Sequence, residues 1–389
     1  MSEKRTTNYE LRTTKPKPHL ALVCDWLLGT GGAERVVLEL HKMFPDAPIY
    51  TSQYDKNPKA WFGDKWFEDA DVRTTWMQKL PKGSKKFLPV LRAWTFSRLS
   101  LDDYDLVISS SGAEAKFIKT KGTHITYCHA PTHYYWSRYE DYLKHPGFGW
   151  FDPIARLGLK ILIGPMRRWD YKAAQRADYF IANSNYTKDQ IKKYYGRDAE
   201  VIHPPVDIDR FQFPRTVLGN RDLRRGFITA GRQTPYKRID LAVKAATQLN
   251  VPLIVIGRGP EHAKLKRLAG RSVTFLTNVS DEEMPEKFAQ AEAFIFPGID
   301  DFGIVAVEAM AAGTPVITYK AGGALDYVDK TTGLLFSEQT TDSLAKAMEE
   351  FSKLSFNHSR VAEQAEKFFP SQFRQKIKDF IAQAIKKNP

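Results

Sequence analysis

Two stretches of similar pattern decide the fold: His19-Leu-Ala-Leu-Val-Cys-Asp-Trp-Leu-Leu28 before Gly29-Thr-Gly-Gly32, and Gly226-Phe-Ile-Thr-Ala230 before Gly231-Arg-Gln-Thr-Pro-Tyr-Lys-Arg238. In each, a short apolar run enters a turn that contains glycine. A helical pattern then follows, from Ala33 to Met43 and from about Ile239 to Leu249. A buried strand, a turn and an amphipathic helix in this order are typical of parallel α/β sheets. The recurrence predicts two α/β domains.

Further apolar runs alternate with amphipathic stretches after both starts, as doubly wound sheets require. We predict strands at Leu106–Ser109, His124–Cys128, Tyr179–Ala182, Leu253–Ile256, Val273–Leu276, Ala293–Phe296 and Pro315–Thr318. The proline pair Pro204-Pro205 cannot continue a helix and marks the link between domains. We therefore predict a flexible basic leader (1–18), an N-terminal Rossmann-like domain (19–204), a C-terminal Rossmann-like domain (205–358) and a helical segment (359–389) that packs back on the N-terminal domain. Ligands of such sheets bind beyond the carboxyl ends of the strands, so the site is expected in the cleft between the domains.

The charge balance is unusual, since 58 Lys and Arg against 45 Asp and Glu give a formal net charge of +13 over 389 residues. Such a surplus favours a polyanionic neighbour: nucleic acid, anionic lipid or a phosphorylated ligand. The two cysteines, Cys24 and Cys128, form neither a disulfide framework nor a metal-type spacing, which favours a reducing, cytoplasmic setting. No run reaches the roughly 20 apolar residues of a membrane span, so we expect none.

The strongest functional signal is the stretch Phe296-Pro-Gly-Ile-Asp-Asp-Phe-Gly-Ile-Val-Ala-Val-Glu308-Ala-Met-Ala-Ala-Gly313. It predicts a strand, a loop with the carboxylates of Asp300 and Asp301, and a helix from near Gly303 to Gly313. The free N–H groups and positive dipole end of that helix can hold an anion. Glu308 lies in an otherwise apolar helix, where a buried carboxylate needs partners. A ribose diol would supply two donors; a neighbouring backbone group or arginine is the structural alternative.

Two turns in the same half carry groups suited to a diphosphate. Arg232 and Lys237 follow a predicted strand, and a forked guanidinium with a compact ammonium matches a diphosphate; a solvated basic turn is the alternative. Gly257-Arg258-Gly259 ends the next strand. Its glycines would let a ligand approach the backbone, although a tight connection explains them as well.

Taken together, these motifs resemble the retaining glycosyltransferases of family 4, which have the GT-B fold, and the resemblance extends over nearly the whole chain from Leu20. It implies that Gly31-Gly-Ala-Glu-Arg35 is the glycine loop beside the donor phosphates and the acceptor. It also implies that the histidine of Tyr127-Cys-His129-Ala-Pro131 touches the donor sugar. The implied catalytic residues are Arg232, Lys237, His129 and Asp300. The implied nucleotide-sugar-binding residues are Glu308, Gly31, Gly32, Gly257, Arg258, Asp301, Phe302, Gly303 and Ile304.

Two softer motifs, Ile181-Ala-Asn-Ser-Asn-Tyr-Thr187 and Ile202-His-Pro-Pro-Val-Asp207, resemble the bacterial mannosyltransferase branch that uses GDP-mannose to build polysaccharides. The resemblance then implies transfer of a hexose, mannose from GDP-mannose, with retained configuration to a glycan or lipid-linked acceptor. One position departs from the family, which usually has Glu eight residues before Glu308, where this chain has Asp300. The shorter side chain loses about 1.5 Å of reach. Either the loop compensates, Asp301 substitutes, or the donor preference differs.

No Asp-x-Asp signature stands where a metal would serve the phosphates, so we expect neither a metal nor another cofactor. Bond cleavage at the anomeric carbon leaves negative charge on the departing diphosphate. Arg232, Lys237 and the N–H groups near Gly303 and Ile304 are the groups expected to hold that charge.

The basic surplus is concentrated in two segments. From Val72 to Leu101 there is no acidic residue, and Phe87, Val90, Leu91 and Trp94 follow helical spacing. The seven basic residues there are Arg73, Lys79, Lys82, Lys85, Lys86, Arg92 and Arg98. The segment from Ala155 to Lys172 is similar. Such helices can lie on an anionic membrane, or pack on the core with a basic outer face. We expect peripheral association with the inner face of the cytoplasmic membrane, because a lipid-diphosphate acceptor fits both the charge and the reaction.

Other functional classes stay open to different degrees. A sugar-nucleotide epimerase can share the two-domain fold, and the Asp300 departure is compatible with a nucleotide-sugar-binding partner subunit without catalysis. Nucleic-acid binding would explain the charge but leaves the stretch from Asp300 to Gly313 without purpose, so we expect no nucleic-acid partner. A nicotinamide dehydrogenase is disfavoured, because Gly29-Thr-Gly-Gly32 lacks the Gly-x-Gly-x-x-Gly spacing.

Overall fold

The computed structural model describes residues 19–57, 61, 65–81, 88–147, 149–211 and 224–387. The predicted leader lies outside these residues, as do Lys82, Lys85, Lys86 and Phe87 of the basic segment. The described chain forms two domains, each built on a parallel sheet with helices between the strands. This confirms the predicted doubly wound α/β architecture. The predicted strands are all present, and their ends differ by no more than one or two residues.

The N-terminal sheet has seven strands in the order β3-β2-β1-β4-β5-β6-β7, all parallel. Its strands are β1 (Leu20–Cys24), β2 (Ile49–Thr51), β3 (Val72–Thr74), β4 (Leu106–Ser111), β5 (Thr123–Cys128), β6 (Tyr179–Ala182) and β7 (Glu200–Val201). Its helices are α1 (Gly32–Met43), α2 (Pro89–Ser97), α3 (Tyr139–Lys144), α4 (Asp152–Arg176) and α5 (Asn185–Tyr195). Helix α5 shows why local sequence sets these bounds. The Ser184 hydroxyl accepts from the Thr187 N–H at its start, and Gly196 ends it with φ 66°.

The C-terminal sheet has six parallel strands in the order β10-β9-β8-β11-β12-β13. Its strands are β8 (Phe227–Ala230), β9 (Leu253–Ile256), β10 (Val273–Leu276), β11 (Ala293–Phe296), β12 (Val316–Tyr319) and β13 (Gly333–Phe336). The helices of this half are α6 (Ile239–Leu249), α7 (His262–Leu268), α8 (Met284–Ala289), α9 (Ile304–Ala311), α10 (Thr341–Ser352), α11 (His358–Ala365) and α12 (Pro370–Lys387). The strand order reverses between β1 and β4 and between β8 and β11, and such switch points are where open α/β sheets bind ligands.

The C-terminal segment changes domains later than predicted. Helix α11 and the short turn Glu366–Phe368 still belong to the C-terminal core, where Val361, Ala365 and Phe368 are buried. Only α12 packs on the N-terminal domain, with an apolar face buried beside β1, β4 and β5. That face consists of Phe373, Ile377, Ile381 and Ala384. The crossing falls at Pro370, because proline is tolerated in the first turn of a helix but not in its interior.

Candidate active site in the interdomain cleft

The start of α9 faces the glycine loop of the other domain. Gly303 precedes α9 with φ 93°, in the left-handed region that favours glycine, and no side chain caps the helix. An added Cβ at Gly303 would lie 2.7 Å from the Tyr327 hydroxyl. Across the cleft, a Cβ on Gly32 would lie 2.8 Å from Ile304 Cδ1. The structure therefore brings the predicted glycine loop against the predicted anion-binding helix end.

The Glu308 carboxylate is buried and has two arginine partners. Arg35 Nη1 donates to Oε1 at 3.1 Å, and Arg210 Nη2 lies 3.5 Å from the same oxygen. Burial raises the pKa of the Glu308 carboxyl above its ordinary value, although both arginines oppose the shift. Among the described residues, no hydrogen bond to Oε2 is formed. The arginine alternative is thus present in the structure, and one carboxylate oxygen is left for a further donor.

Lys237 and Asp300 meet at the end of β11. Lys237 Nζ forms an ion pair with the Asp300 carboxylate, and the loop after β11 lies against the Lys237 backbone. The close approach depends on Gly298, where an added Cβ would lie 2.8 Å from Lys237 Cα. Arg232 is exposed at the end of β8, and within the described chain its side chain forms no hydrogen bond or ion pair. Lys237 is therefore held in the cleft, whereas Arg232 is free to meet a ligand there.

Three side chains of the N-terminal domain contact the loop Ile299–Asp301, and sequence reasoning named none of them as site residues. His133 Nε2 lies 2.9 Å from Asp301 Oδ2, and the Ser184 hydroxyl donates to the Asp301 carbonyl. Arg138 Nη2 donates to the Ile299 carbonyl at 3.2 Å. Burial alone would raise the pKa of the Asp301 carboxyl, but His133 and Arg138 hold it below its ordinary value. The available signal was position, since His133 and Arg138 follow the carboxyl end of β5 and Ser184 that of β6.

His129 directly follows β5 and therefore lies at the same carboxyl end of the sheet as His133 and Arg138. Its Nε2 is 2.7 Å from the Ser110 hydroxyl, and its carbonyl accepts from Asn183 Nδ2 at 3.0 Å. Burial lowers the pKa of the imidazole to about 4, with the nearby Asp301 charge opposing the shift. At neutral pH the ring is therefore uncharged and fixed by Ser110.

The structure explains Gly257 and Gly259 by packing. A Cβ at Gly257 would overlap the Gly231 carbonyl, and one at Gly259 would overlap the Gln233 carbonyl. The turns after β8 and β9 thus touch through their backbones, as the tight-connection alternative requires. Arg258 Nη2 donates to Thr277 Oγ1 and Asn278 Oδ1 at 3.2 and 2.6 Å, beyond the end of β10. A contact of Gly257 or Arg258 with a donor stays a prediction.

Phe302 corrects one part of the predicted site. Its side chain is buried in the C-terminal core against Tyr327 and Phe368. The Phe302 carbonyl accepts from the Tyr327 hydroxyl at 2.9 Å. The phenyl ring cannot reach a ligand in the cleft, because the apolar run that predicted the helix also supplies the core beneath it. Any contact of Phe302 with a nucleotide-sugar would have to be made by its backbone, and that contact stays a prediction.

A loop after β4 is fixed by charged groups inside the N-terminal domain. The Asp25 carboxylate accepts the N–H groups of Gly112, Ala113 and Ala115 at 2.7–3.0 Å. Two buried ion pairs anchor the same loop, Arg92–Glu114 at 2.6 Å and Lys116–Asp170 at 2.7 Å. Gly112 lies beside His129, since its added Cβ would be 3.5 Å from the His129 Cβ. The loop therefore forms a rigid wall next to His129. In the described part of the chain, no group of three or more His, Cys, Asp or Glu side chains could hold a metal ion.

Two family models match consecutive parts of the chain. The model of glycosyltransferase family 4 matches residues 30–210, and that of glycosyl transferases group 1 matches residues 213–368. Among curated proteins, the D-inositol 3-phosphate glycosyltransferase of Mycobacteroides abscessus is 31% identical over 202 residues, 46% of each chain. The enzyme of that name from Mycobacterium tuberculosis is 31% identical over 206 residues, 48% of this chain and 43% of that one. The chain thus spans about half the length of the curated relatives it matches.

Solved structures share the whole architecture at low sequence identity. Anabaena HepE in complex with UDP and glucose has a TM-score of 0.65 and 21% identity, and the match covers 94% of this chain and 100% of HepE. Sucrose-phosphate synthase from Thermosynechococcus elongatus has a TM-score of 0.65 and 16% identity, covering 94% of this chain and 99% of that chain. These likenesses confirm the GT-B fold.

Proposed function

Because the chain belongs to the family 4 glycosyltransferases of the GT-B fold, we propose that it transfers a hexosyl unit from a nucleoside-diphosphate sugar to an acceptor in the cleft. One observation carries the proposal. The uncapped start of α9, its neighbour Gly32 across the cleft, and the paired Lys237 and Asp300 lie at the same end of the C-terminal sheet. A diphosphate placed there would meet helix N–H groups and a lysine together.

In this proposal the leaving diphosphate is stabilised by preorganised positive groups. The N–H groups at the start of α9, Lys237 and the exposed Arg232 would hold the charge that develops as the glycosidic bond breaks. In well-studied enzymes, removing one preorganised hydrogen-bond donor of this kind costs about 3–4 kcal/mol of transition-state stabilisation. We propose that these groups act without a metal and that the anomeric configuration is retained. His129, neutral at pH 7, would face the sugar as a hydrogen-bonding group rather than as a charge.

We place the nucleoside at Glu308. Its Oε1 is taken by Arg35 and Arg210, so the ribose diol would use Oε2. For the base and sugar we propose GDP-mannose, on the two motifs near Ser184 and His203. HepE is solved in complex with UDP and glucose, so the choice between guanosine and uridine is the first point to test.

The acceptor is proposed to be anionic. The curated relatives are named for D-inositol 3-phosphate, a phosphorylated acceptor, and the net charge of +13 on this chain suits an anionic partner. A glycan or lipid with a phosphate or diphosphate group fits this description. We expect this acceptor to bind on the side of the cleft that is formed by the loop after β4, beside His129.

A surface on α4 is the part of the chain best suited to a membrane. The N-terminal half of this helix and the turn before it form an apolar stripe, the α4 stripe, with side chains 45–92% exposed. The α4 stripe consists of Trp150, Phe151, Ile154, Leu157, Ile161 and Leu162. Within the described residues, no helix is both long and apolar enough to cross a bilayer. Basic groups flank the stripe, and no acidic residue lies between Asp152 and Asp170. An anionic lipid surface fits this pattern, whereas a second copy would bring like charges together.

The other predicted membrane segment fits less well. On α2, Val90 and Trp94 are exposed, but Arg92 is buried in its ion pair with Glu114. One of the basic groups assigned to the surface is thus part of the domain interior. We therefore assign the membrane contact to the α4 stripe.

The nucleotide proposal is tested by thermal shift with GDP, UDP and ADP and with their hexose conjugates. A ligand at 100 times its Kd stabilises the folded state by about 2.7 kcal/mol, so one base should raise the melting temperature well above the others. Glu308→Ala should abolish that rise. Analysis of products then separates transfer to an acceptor from epimerisation of the donor. If no nucleotide stabilises the protein, the proposal is wrong.

The membrane proposal is tested by sedimentation with phosphatidylcholine vesicles, with and without phosphatidylglycerol. We expect binding only with the anionic lipid, and less of it at high salt. The double variant Leu157→Ser/Ile161→Ser should weaken binding by roughly 30-fold, because the two exposed side chains would each contribute on the order of 1 kcal/mol on burial. Leu354→Ser, an exposed leucine of the C-terminal domain, is the matched control. Equal binding of both variants would refute the assignment.

A further inference from the structure

The loop Ile299–Asp301 is held from both sides of the cleft. Beneath it, Gly323 N donates to the Asp300 carbonyl at 2.9 Å, and a Cβ at Gly323 would overlap the Asp301 carbonyl. Above it lie three side chains of the N-terminal domain, which we call the clamp: His133, Arg138 and Ser184. The C-terminal domain therefore supports the loop from below, and only contact between the domains holds it from above.

The clamp leaves the two carboxylates of the loop with different tasks. The Asp301 carboxylate is bonded to His133, and its carbonyl is bonded to Ser184. Asp300 instead turns to Lys237, and the Arg138 Nη2 is 3.9 Å from its Oδ1, beyond hydrogen-bond distance. Asp301 is thus occupied in holding the loop to the N-terminal domain, whereas Asp300 is occupied in its pair with Lys237 of the C-terminal domain.

Arg138 is itself fixed in a way that suits this task. Its guanidinium carbon lies 3.8 Å from the centre of the Tyr236 ring, a close cation–π contact. One nitrogen reaches the Ile299 carbonyl at 3.2 Å, and the side chain is 14% exposed. Because Tyr236 directly precedes Lys237 in the chain, Arg138 touches both the turn that carries Lys237 and the loop that carries Asp300. A single side chain of the N-terminal domain thus spans the two halves of the Lys237–Asp300 pair.

We propose that Arg138 is a positioning residue for the donor, which holds the loop Ile299–Asp301 and the turn at Tyr236 so that Asp300 and Lys237 face the sugar and diphosphate in a fixed geometry. This inference rests on the proposed function. It predicts that the donor site is complete only while the two domains are in contact, because Arg138 belongs to one domain and its targets to the other.

The first test is a double-mutant cycle in the full-length protein. Transfer is measured with the donor that the nucleotide screen selects among GDP-mannose, UDP-glucose and ADP-glucose. Arg138→Ala should lower kcat by about 10²-fold, the typical cost of misplacing a reacting group by about 1 Å, with the Kd of the nucleoside diphosphate within about twofold of wild type. Because Arg138 acts through Asp300, Arg138→Ala should lower kcat far less when added to Asp300→Asn than when made alone. Arg138→Lys, which keeps the charge but not the flat stacking group, should lie between.

Arg197→Ala is the matched control. Arg197 also donates to backbone carbonyls, those of Ala174, Gln175 and Asp178, and lies over the Phe180 ring. It follows the end of α5, whereas Ser184, which contacts the loop, lies at the start of that helix. Arg197→Ala should leave kcat unchanged. If Arg138→Ala retains wild-type kcat, or if its effect adds in full to that of Asp300→Asn, the inference is wrong.

The second test needs no substrate. Hydrogen exchange of the amides from Ile299 to Gly303 should be faster in Arg138→Ala than in wild type and Arg197→Ala, with the rest of the C-terminal sheet unchanged. Unchanged exchange at this loop would overturn the inference even if the protein binds its nucleotide. A different result would separate the two proposals. If wild type binds no nucleotide but Arg138→Ala still speeds exchange in the loop, the proposed function is wrong, whereas the role of Arg138 in holding the loop is supported.

Discussion

The buried ion pairs of the N-terminal domain and the ion pairs of the cleft use the same residue types in contrasting surroundings. Arg92–Glu114 and Lys116–Asp170 have side chains no more than 3% exposed. In the cleft, the side chains of Arg35–Glu308 and Lys237–Asp300 are between 7% and 21% exposed. The first set lies under the wall beside His129, and the second set lines the space where we place the donor.

The difference lies in how completely the charges are satisfied. Glu114 also accepts from the hydroxyls of Tyr134 and Tyr135. Asp170 accepts from the hydroxyls of Thr132 and Tyr195 and from the Trp136 indole. By contrast, Glu308 keeps one oxygen without a hydrogen bond among the described residues. Fully satisfied buried networks fix one conformation, whereas incompletely satisfied groups at a cleft can exchange partners when a ligand arrives. The comparison predicts that the two sets respond to mutation in opposite ways.

The largest effect is expected from breaking a buried pair. Glu114→Ala removes the carboxylate that pairs with the buried Arg92 guanidinium, and removal of one partner of such a pair typically costs about 3–5 kcal/mol of unfolding free energy. The measurement is chemical denaturation followed by tryptophan fluorescence. Arg92→Met/Glu114→Leu removes both charges and is the control, since replacing a buried pair with apolar groups is often close to neutral. If the single variant is as stable as wild type, the pair does not anchor the loop.

A cleft pair should behave in the opposite way. Lys237→Ala is expected to lower transfer by about 10²–10³-fold, because it removes one preorganised cation from the leaving diphosphate. Its melting temperature should stay close to that of wild type, since partly exposed pairs contribute only about 0–1 kcal/mol. Lys264→Ala, which breaks a surface pair with Glu261, is the control for both measurements. A large loss of stability in Lys237→Ala without loss of transfer would reverse the distinction between the two regions.

The parts of this picture that sequence could predict are those set by local patterns. The apolar run before Gly303 and the helix after it follow from periodicity, and α6 begins and ends at the predicted residues, Ile239 and Leu249. Gly32 and Gly303 stand out in the sequence because a turn that needs a positive φ or a close backbone approach favours glycine over every other residue. Each of these features depends on neighbours within one or two turns of the chain.

The missing parts depend on contacts between distant residues. Arg138 and Ile299 are 161 positions apart, and Arg35 and Glu308 are 273 apart. In sequence, Arg138 is one basic residue in an aromatic stretch after the carboxyl end of β5. That position places it near the site, but its neighbours do not show which partner its side chain meets. The same holds for Arg92, which sequence assigned to a basic surface and the structure buries. Which basic residues form ion pairs with carboxylates is decided by tertiary packing within and between the two domains.

The smallest effect, and the finest test of the comparison, concerns Arg35. Its loss should cost less unfolding free energy than Glu114→Ala does, because Arg35 itself is partly exposed and Arg210 still approaches the buried Glu308 carboxylate. Arg35 is one of the groups that hold down the pKa of Glu308, which burial raises. Arg35→Ala should therefore raise that pKa further, so that Glu308 becomes protonated as the pH falls before it does in wild type. A protonated carboxyl accepts ribose hydroxyls less well. Nucleoside diphosphate affinity, measured by calorimetry from pH 8 down to pH 5, should consequently fall more steeply in Arg35→Ala than in wild type.

Arg374→Ala, which removes an ion pair with Glu39 on the same helix α1 but away from the cleft, should follow wild type. Parallel curves for Arg35→Ala and wild type would mean that Glu308 does not bind the ribose, and that its pair with Arg35 belongs with the structural pairs of the N-terminal domain.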